Sequence, residues 1–167
     1  MNLQETTKLL LSEDITTVLD TISKLRSFGN VEILPSMLEL LKNSRDEAVR
    51  ASIVNFLNDI KDPRAIPILI KAIEHPNFKH DLPEIVGACW QNGLNFSSHL
   101  KIFAKVMVTA NYLTAIEAST VIESNFTDLK SSEIDEIISI IQSGINGQTK
   151  DKQALMNQLI IVLNTLN

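Results

Sequence analysis

Asn30-Val31-Glu32-Ile33-Leu34-Pro35-Ser36-Met37-Leu38-Glu39-Leu40-Leu41 and Asp62-Pro63-Arg64-Ala65-Ile66-Pro67-Ile68-Leu69-Ile70-Lys71-Ala72-Ile73 are one pattern written twice. Each copy opens on a side chain able to cap a helix, and each has a proline five residues later. The two openings lie 32 residues apart. Repetition at that period marks a solenoid, whose unit is too small to bury its own apolar face and stacks on its neighbours.

Outward from these copies, apolar residues recur at steps of three and four along nearly the whole chain, the period of a helix. An opening helix is expected over Leu3 to Leu11. Ser12 is expected to cap a second one carrying Ile15, Val18, Leu19, Ile22 and Leu25 on one face, with Gly29 just past its end. Asn30 caps the next, which buries Leu34, Met37, Leu38 and Leu41. Ser44-Arg45-Asp46-Glu47 reads as a capping box before a helix with Val49, Ile53, Phe56, Leu57 and Ile60. Asp62-Pro63 opens the following pair, and Asp81-Leu82-Pro83-Glu84 restarts its second helix after the loop His75 to His80.

A third pair places Leu100, Ile102, Phe103, Val106 and Met107 on one helix. Leu113, Ala115, Ile116, Ala118, Val121 and Ile122 lie on the other, after a break at Asn111. The last pair starts near Ser131, breaks at Gly144-Ile145-Asn146-Gly147, and ends with Ala154 to Leu166. That gives ten helical segments and predicts a single all-α domain over 1–167, an α-solenoid of stacked antiparallel helix pairs. Pro35 and Pro67, one turn inside their helices, are expected either to kink the first helix of each pair or to mark helices that simply start later.

Composition agrees. Hydrophobic residues make up 44% of the 167 and charged residues 21%, so the chain is neither disordered nor membranous in character. Only 5% is aromatic, which suits aliphatic helix-on-helix packing, and five glycines with five prolines leave little room for a many-turned β fold. A formal charge of −5 repels phosphate backbones and disfavours nucleic acid as a partner. The single cysteine rules out an internal disulfide. With no basic, apolar leader and no apolar run of about 20 residues, a cytoplasmic location away from the membrane is expected.

The stretch Asp46-Glu47-Ala48-Val49-Arg50-Ala51-Ser52 resembles the start of the second helix of a HEAT repeat, an acidic residue ahead of a Val-Arg pair. Asp62-Pro63-Arg64-Ala65-Ile66-Pro67 resembles that family's inter-repeat turn. The resemblance is clearest over residues 30–75, and the later repeats keep only the apolar spacing. It implies an armadillo-like superhelix that grips another protein along a concave face lined by the second helices. Some HEAT-like proteins bind nucleic acid and others act on protein-attached bilins, so these stay as alternative functions.

Chemistry is sparse. His75 and His80 flank one loop beside Asp81, without the spacing of a helical ligand pair or a thiolate nearby. Cys89 falls 33 residues after core-facing Phe56 and reads as a buried small hydrophobe. No glycine-rich phosphate loop, G-x-S-x-G elbow or H-E-x-x-H occurs. No catalytic residue, metal or cofactor is therefore expected.

Trp90 is the lone tryptophan and matches Leu57 by register. It reads either as core between two second helices or as an aromatic anchor on the inner surface. Asp59, Glu84, Glu117 and Glu123 on the second helices would make that surface mildly acidic and suited to a basic partner segment. Arg50 is expected to pair with a carboxylate such as Asp46 or Glu84. The groove is assigned to Arg50, Asn55, Asn58, Glu84, Trp90, Gln91, Glu117 and Glu123. The last helix, apolar on more than one side, is either buried or the face of a homodimer.

Overall fold

The computed structural model describes residues 2–28 and 31–165. Among them are ten α-helices: α1 (Leu3–Leu10), α2 (Ile15–Phe28), α3 (Leu34–Asn43), α4 (Glu47–Asp59), α5 (Ala65–Glu74), α6 (Leu82–Gln91), α7 (Leu100–Thr109), α8 (Tyr112–Asn125), α9 (Ser131–Ser143) and α10 (Lys150–Asn164). No strand occurs among the described residues. The helices form two compact units, one ending at Leu94 and one starting at Asn95. The chain is all-α, and its stacked helix pairs are those of an α-solenoid.

In the first unit α1/α2, α3/α4 and α5/α6 pair, α2 packs on α4 and α4 on α6, while α1 packs on α3 and α3 on α5. Two layers result, one of first helices and one of second helices. Ile22, Met37, Ile53, Phe56, Leu57 and Ile85 lie fully buried between them. Burying one such side chain contributes roughly 2 kcal/mol, so the layers hold by accumulated aliphatic area. In the second unit α7 pairs with α8 and α9 with α10, and α7 stacks on α9 and α8 on α10. Phe96 and Phe103 meet edge to face there, ring centroids 5.7 Å apart, both buried.

Helix starts differ from expectation in an instructive way. Asp14, not Ser12, caps α2: its carboxylate accepts from the amides of Thr16 and Thr17. The Ser44–Glu47 capping box does not form. Asp46 Oδ1 accepts from Val49 N–H at 2.9 Å, and Ser44 Oγ supports Asp46 by accepting from its amide. In both places a hydroxyl and a carboxylate lie two residues apart, and the carboxylate takes the cap. The expected caps at Asn30 and Gly29, and the apolar role of Leu166, lie outside the described residues.

The prolines do not kink their helices. Pro35 is the second residue of α3, behind a 3-10 turn over Val31–Ile33, and Pro67 is the third of α5, behind a turn closed by the Ala65 amide on the Asp62 carbonyl. Amides in a first turn have no intrahelical acceptor, so proline there removes no bond. Pro67→Ala is expected to change stability by less than about 1 kcal/mol, mainly through the unfolded chain, as urea unfolding would show.

The end of α7 is built by three contacts from the last pair. Lys152, only 4% exposed, donates from Nζ to the carbonyls of Val108 and Ala110 at 2.8 and 2.7 Å. Gln148 Nε2 donates to the Val108 carbonyl as well. Gly144 lies so close that a Cβ there would fall 2.2 Å from Val108 Cγ1. Gly144→Ala is therefore expected to cost about 1–3 kcal/mol through overpacking, readable in thermal unfolding, although its backbone angles suit alanine.

No helix among the described residues is long and apolar enough to cross a membrane.

Candidate interaction surface

Three side-chain ties cross the second-helix layer of the first unit at nearly constant sequence separation. Arg26 on α2 donates from Nε to Asp59 on α4 at 2.7 Å, 33 residues on. Asn58 on α4 donates from Nδ2 to Gln91 Oε1 on α6 at 2.9 Å, again 33 residues on. Arg50 on α4 pairs with Glu84 on α6 at 2.7 Å, 34 residues on. The repeat period is thus written in polar contacts as well as apolar ones.

Arg50 does more than pair with Glu84. Its Nη2 also donates to Asp81 Oδ1 at 3.0 Å, and its Nη1 to the Leu41 carbonyl at 2.6 Å. Leu41 is in the last turn of α3, where carbonyls lack helical partners, and Asp81 immediately precedes α6. Burial alone would lower the guanidinium's pKa, but hydrogen bonds from Glu84 and Asp81 outweigh it and hold the cation firmly charged. Asp46, the other partner considered for Arg50, is occupied as the α4 cap.

The expected groove residues are therefore distributed as follows. Asn58 and Gln91 touch each other near the C-terminal ends of α4 and α6, with exposed Asn55 one turn before Asn58. Arg50 and Glu84 touch each other near the opposite ends of those helices. Trp90 is 39% exposed, whereas its register partner Leu57 is fully buried. Part of the indole lies at the surface. Glu117, half-buried, and Glu123, exposed, lie on α8 of the second unit, and Ser119 Oγ donates to Glu123 Oε1. Of the four acids expected to make an acidic surface, Asp59 and Glu84 are each neutralised by an arginine.

Residues 4–80 match the family model for HEAT repeats. The match runs through helices α1 to α5, and α6 onward lies outside it. Repeats of this family commonly mediate contacts between proteins and are typically non-catalytic. No curated protein matches the chain.

Other candidates for chemistry take ordinary places. Cys89 is fully buried, its Sγ donates to the Ile85 carbonyl, and burial pushes its thiol well above the usual range, where it is not nucleophilic. His75 Nδ1 accepts from the Asn77 amide and its ring meets Phe78 edge-on. Among the described residues no group of three or more His, Cys, Asp or Glu is placed to hold a metal ion.

Two kinds of residue escaped the sequence reading. Lys152 lies in the first turn of α10, and nothing local marks it as buried. Leu113 and Ile15 belong to the apolar sets expected along α8 and α2, yet they are 66% and 47% exposed. Helical periodicity alone leaves the facing direction of an apolar residue undecided near a helix start.

Proposed function

We propose that the chain is a non-enzymatic protein-interaction module, acting in the cytoplasm, whose first unit holds a partner on the open face of its second-helix layer. The observation that carries this reading is Trp90, an aromatic side chain left partly at the surface of α6 beside the Asn58–Gln91 bond. Tryptophan is enriched among residues that dominate binding energy, and the polar ties across α2, α4 and α6 reduce the ordering cost of binding. Asn55, Asn58 and Gln91 would supply hydrogen bonds around that anchor. Arg50 and Glu84 would hold the layer's shape, and Glu117 and Glu123 would offer separate contacts on the second unit.

Nucleic acid fits less well, because Arg26, Arg50 and Arg64 each face a carboxylate and the net charge is −5. A bilin-lyase-like activity would need a reactive group, and the buried Cys89 thiol does not supply one. Ile161, 60% exposed on α10, favours self-association through the last helix as a second reading. Sedimentation of wild type and Ile161→Glu would decide that: a dimer lost in the variant supports it, and a monomer at all concentrations ends it.

The main test is quantitative. The partner co-purifying in near-stoichiometric amount is expressed alone, and its affinity is measured for wild type and Trp90→Ala. A loss of about 2 kcal/mol, roughly thirtyfold, is expected with the folded state intact. Unchanged affinity would remove Trp90 from the surface and the reading with it.

A further inference from the structure

α8 is apolar on a face that the protein leaves open. Its packed side buries Thr114, Ala115, Ala118, Ser119, Val121 and Ile122. Solvent-facing helix surfaces are ordinarily charged, yet the opposite side of α8 begins with Tyr112 and Leu113, 42% and 66% exposed. From Leu113 the stripe continues through half-buried Ile116 and Thr120 to exposed Glu123, the i, i+3, i+7, i+10 positions of one helix face.

Charge along this stripe has one sign. From Val106 to Leu129 the chain contains no lysine or arginine, and its ionisable carboxylates are Glu117, Glu123 and Asp128. The last turn of α8 carries no basic residue to offset the partial negative charge of the helix C-terminus. Lys152 is turned to the carbonyls at the end of α7, and Lys101 on α7 pairs with Glu136 on α9. The face thus opens on Tyr112 and Leu113 and ends on Glu123, with half-buried Glu117 one turn after Leu113.

We infer that this face of α8 docks a partner segment carrying apolar side chains at one end and lysine or arginine at the other. The apolar end seats on Tyr112, Leu113 and Ile116, and the cations meet Glu123 and the C-terminus of α8. Ten residues separate Leu113 from Glu123 in sequence, so the two features of the partner lie about 15 Å apart at 1.5 Å per residue. A segment of that pattern binds in one direction only, because reversal places its cations on leucine and its apolar side chains on glutamate. The inference rests on the interaction reading above but centres on α8, whereas that reading is carried by Trp90 on α6, so the two can fail separately.

The test uses the full chain and fluorescein-labelled synthetic peptides of about 14 residues, with leucines in one half and arginines in the other, at about 50 mM salt where surface charge is weakly screened. Anisotropy is expected to show binding that weakens about tenfold for Tyr112→Ser/Leu113→Ser and for Glu123→Lys. Trp90→Ala is measured in parallel, and Gln4→Ala, exposed on α1 and outside both surfaces, is expected to stay within about twofold of wild type. A peptide with glutamates in place of the arginines is expected not to bind. Because the substituted side chains are exposed, the variants should keep the wild-type unfolding midpoint, which is checked alongside. Equal affinity of the double serine variant and wild type, equal binding of the glutamate peptide, or no binding of the arginine peptide overturns the inference. If Trp90→Ala alone abolishes binding, the site moves to α6: the interaction reading stands and the α8 assignment falls.

Discussion

Replacing Arg50 by alanine is expected to destabilise the first unit by about 3 kcal/mol, in the range for breaking a largely buried ion pair. The loss has three parts, each tied to a contact. Asp81 is nearly fully buried and would lose the guanidinium that faces it. Glu84 would lose its partner while its Oε2 is already buried without a hydrogen bond. The Leu41 carbonyl would lose the donor that completes the end of α3. Arg50→Lys should restore less than half, since one ammonium cannot span two carboxylates and a carbonyl as the planar guanidinium does. Arg26→Ala is the control: both members of its pair are substantially exposed, and such a pair is worth under about 1 kcal/mol. Urea unfolding of the three variants checks the ranking, and equal effects of Arg50→Ala and Arg26→Ala would refute it.

The second large effect is expected at Lys152. Alanine there removes buried methylenes, takes the donor from the Ala110 carbonyl and leaves the Val108 carbonyl with Gln148 alone, for a combined cost of about 3 kcal/mol. Lys152→Met should recover the packing share and not the hydrogen bonds. The two proteins should also differ in pH dependence. Burial lowers the Lys152 pKa below its ordinary 10.5. In the window just below 10.5 the unfolded chain therefore binds a proton that the folded chain has released, and stability rises with pH there. Wild type should gain stability relative to Lys152→Met as pH climbs through that window. A constant difference between the two would mean that Lys152 is not desolvated.

Much of this architecture was legible because helices advertise themselves through apolar spacing, and the 32-residue echo between Asn30 and Asp62 announced stacking. The Arg50–Glu84 contact was within reach for the same reason, since a fixed period predicts which second-helix residues become neighbours. Cap identity was not, because Ser12 and Asp14, or Ser44 and Asp46, are both good caps and only backbone geometry chooses between them. The prolines turn on the same point: moving a helix start by two or three residues turns a kink into a tolerated first-turn position. Surface assignment was harder still. Trp90 and Leu57 share a register, yet one reaches solvent and the other does not, since burial depends on what stacks above each helix. Lys152 and its two carbonyl acceptors are more than 40 residues apart in sequence, with no pattern linking them.

The reach of Arg50 across α3, α4 and α6 has a consequence for how the protein opens. Stacked repeats with contacts only along matching helices can fray one pair at a time, and amide exchange then becomes graded from the ends inward. Here one guanidinium on α4 joins the last turn of α3 to the first turn of α6, the second helix of the next pair, so neither turn can open without breaking both. Amide hydrogens at the end of α3 and the start of α6 should then exchange with a common opening free energy and lose that agreement in Arg50→Ala. The cooperative block of this repeat array is longer than the period of its sequence.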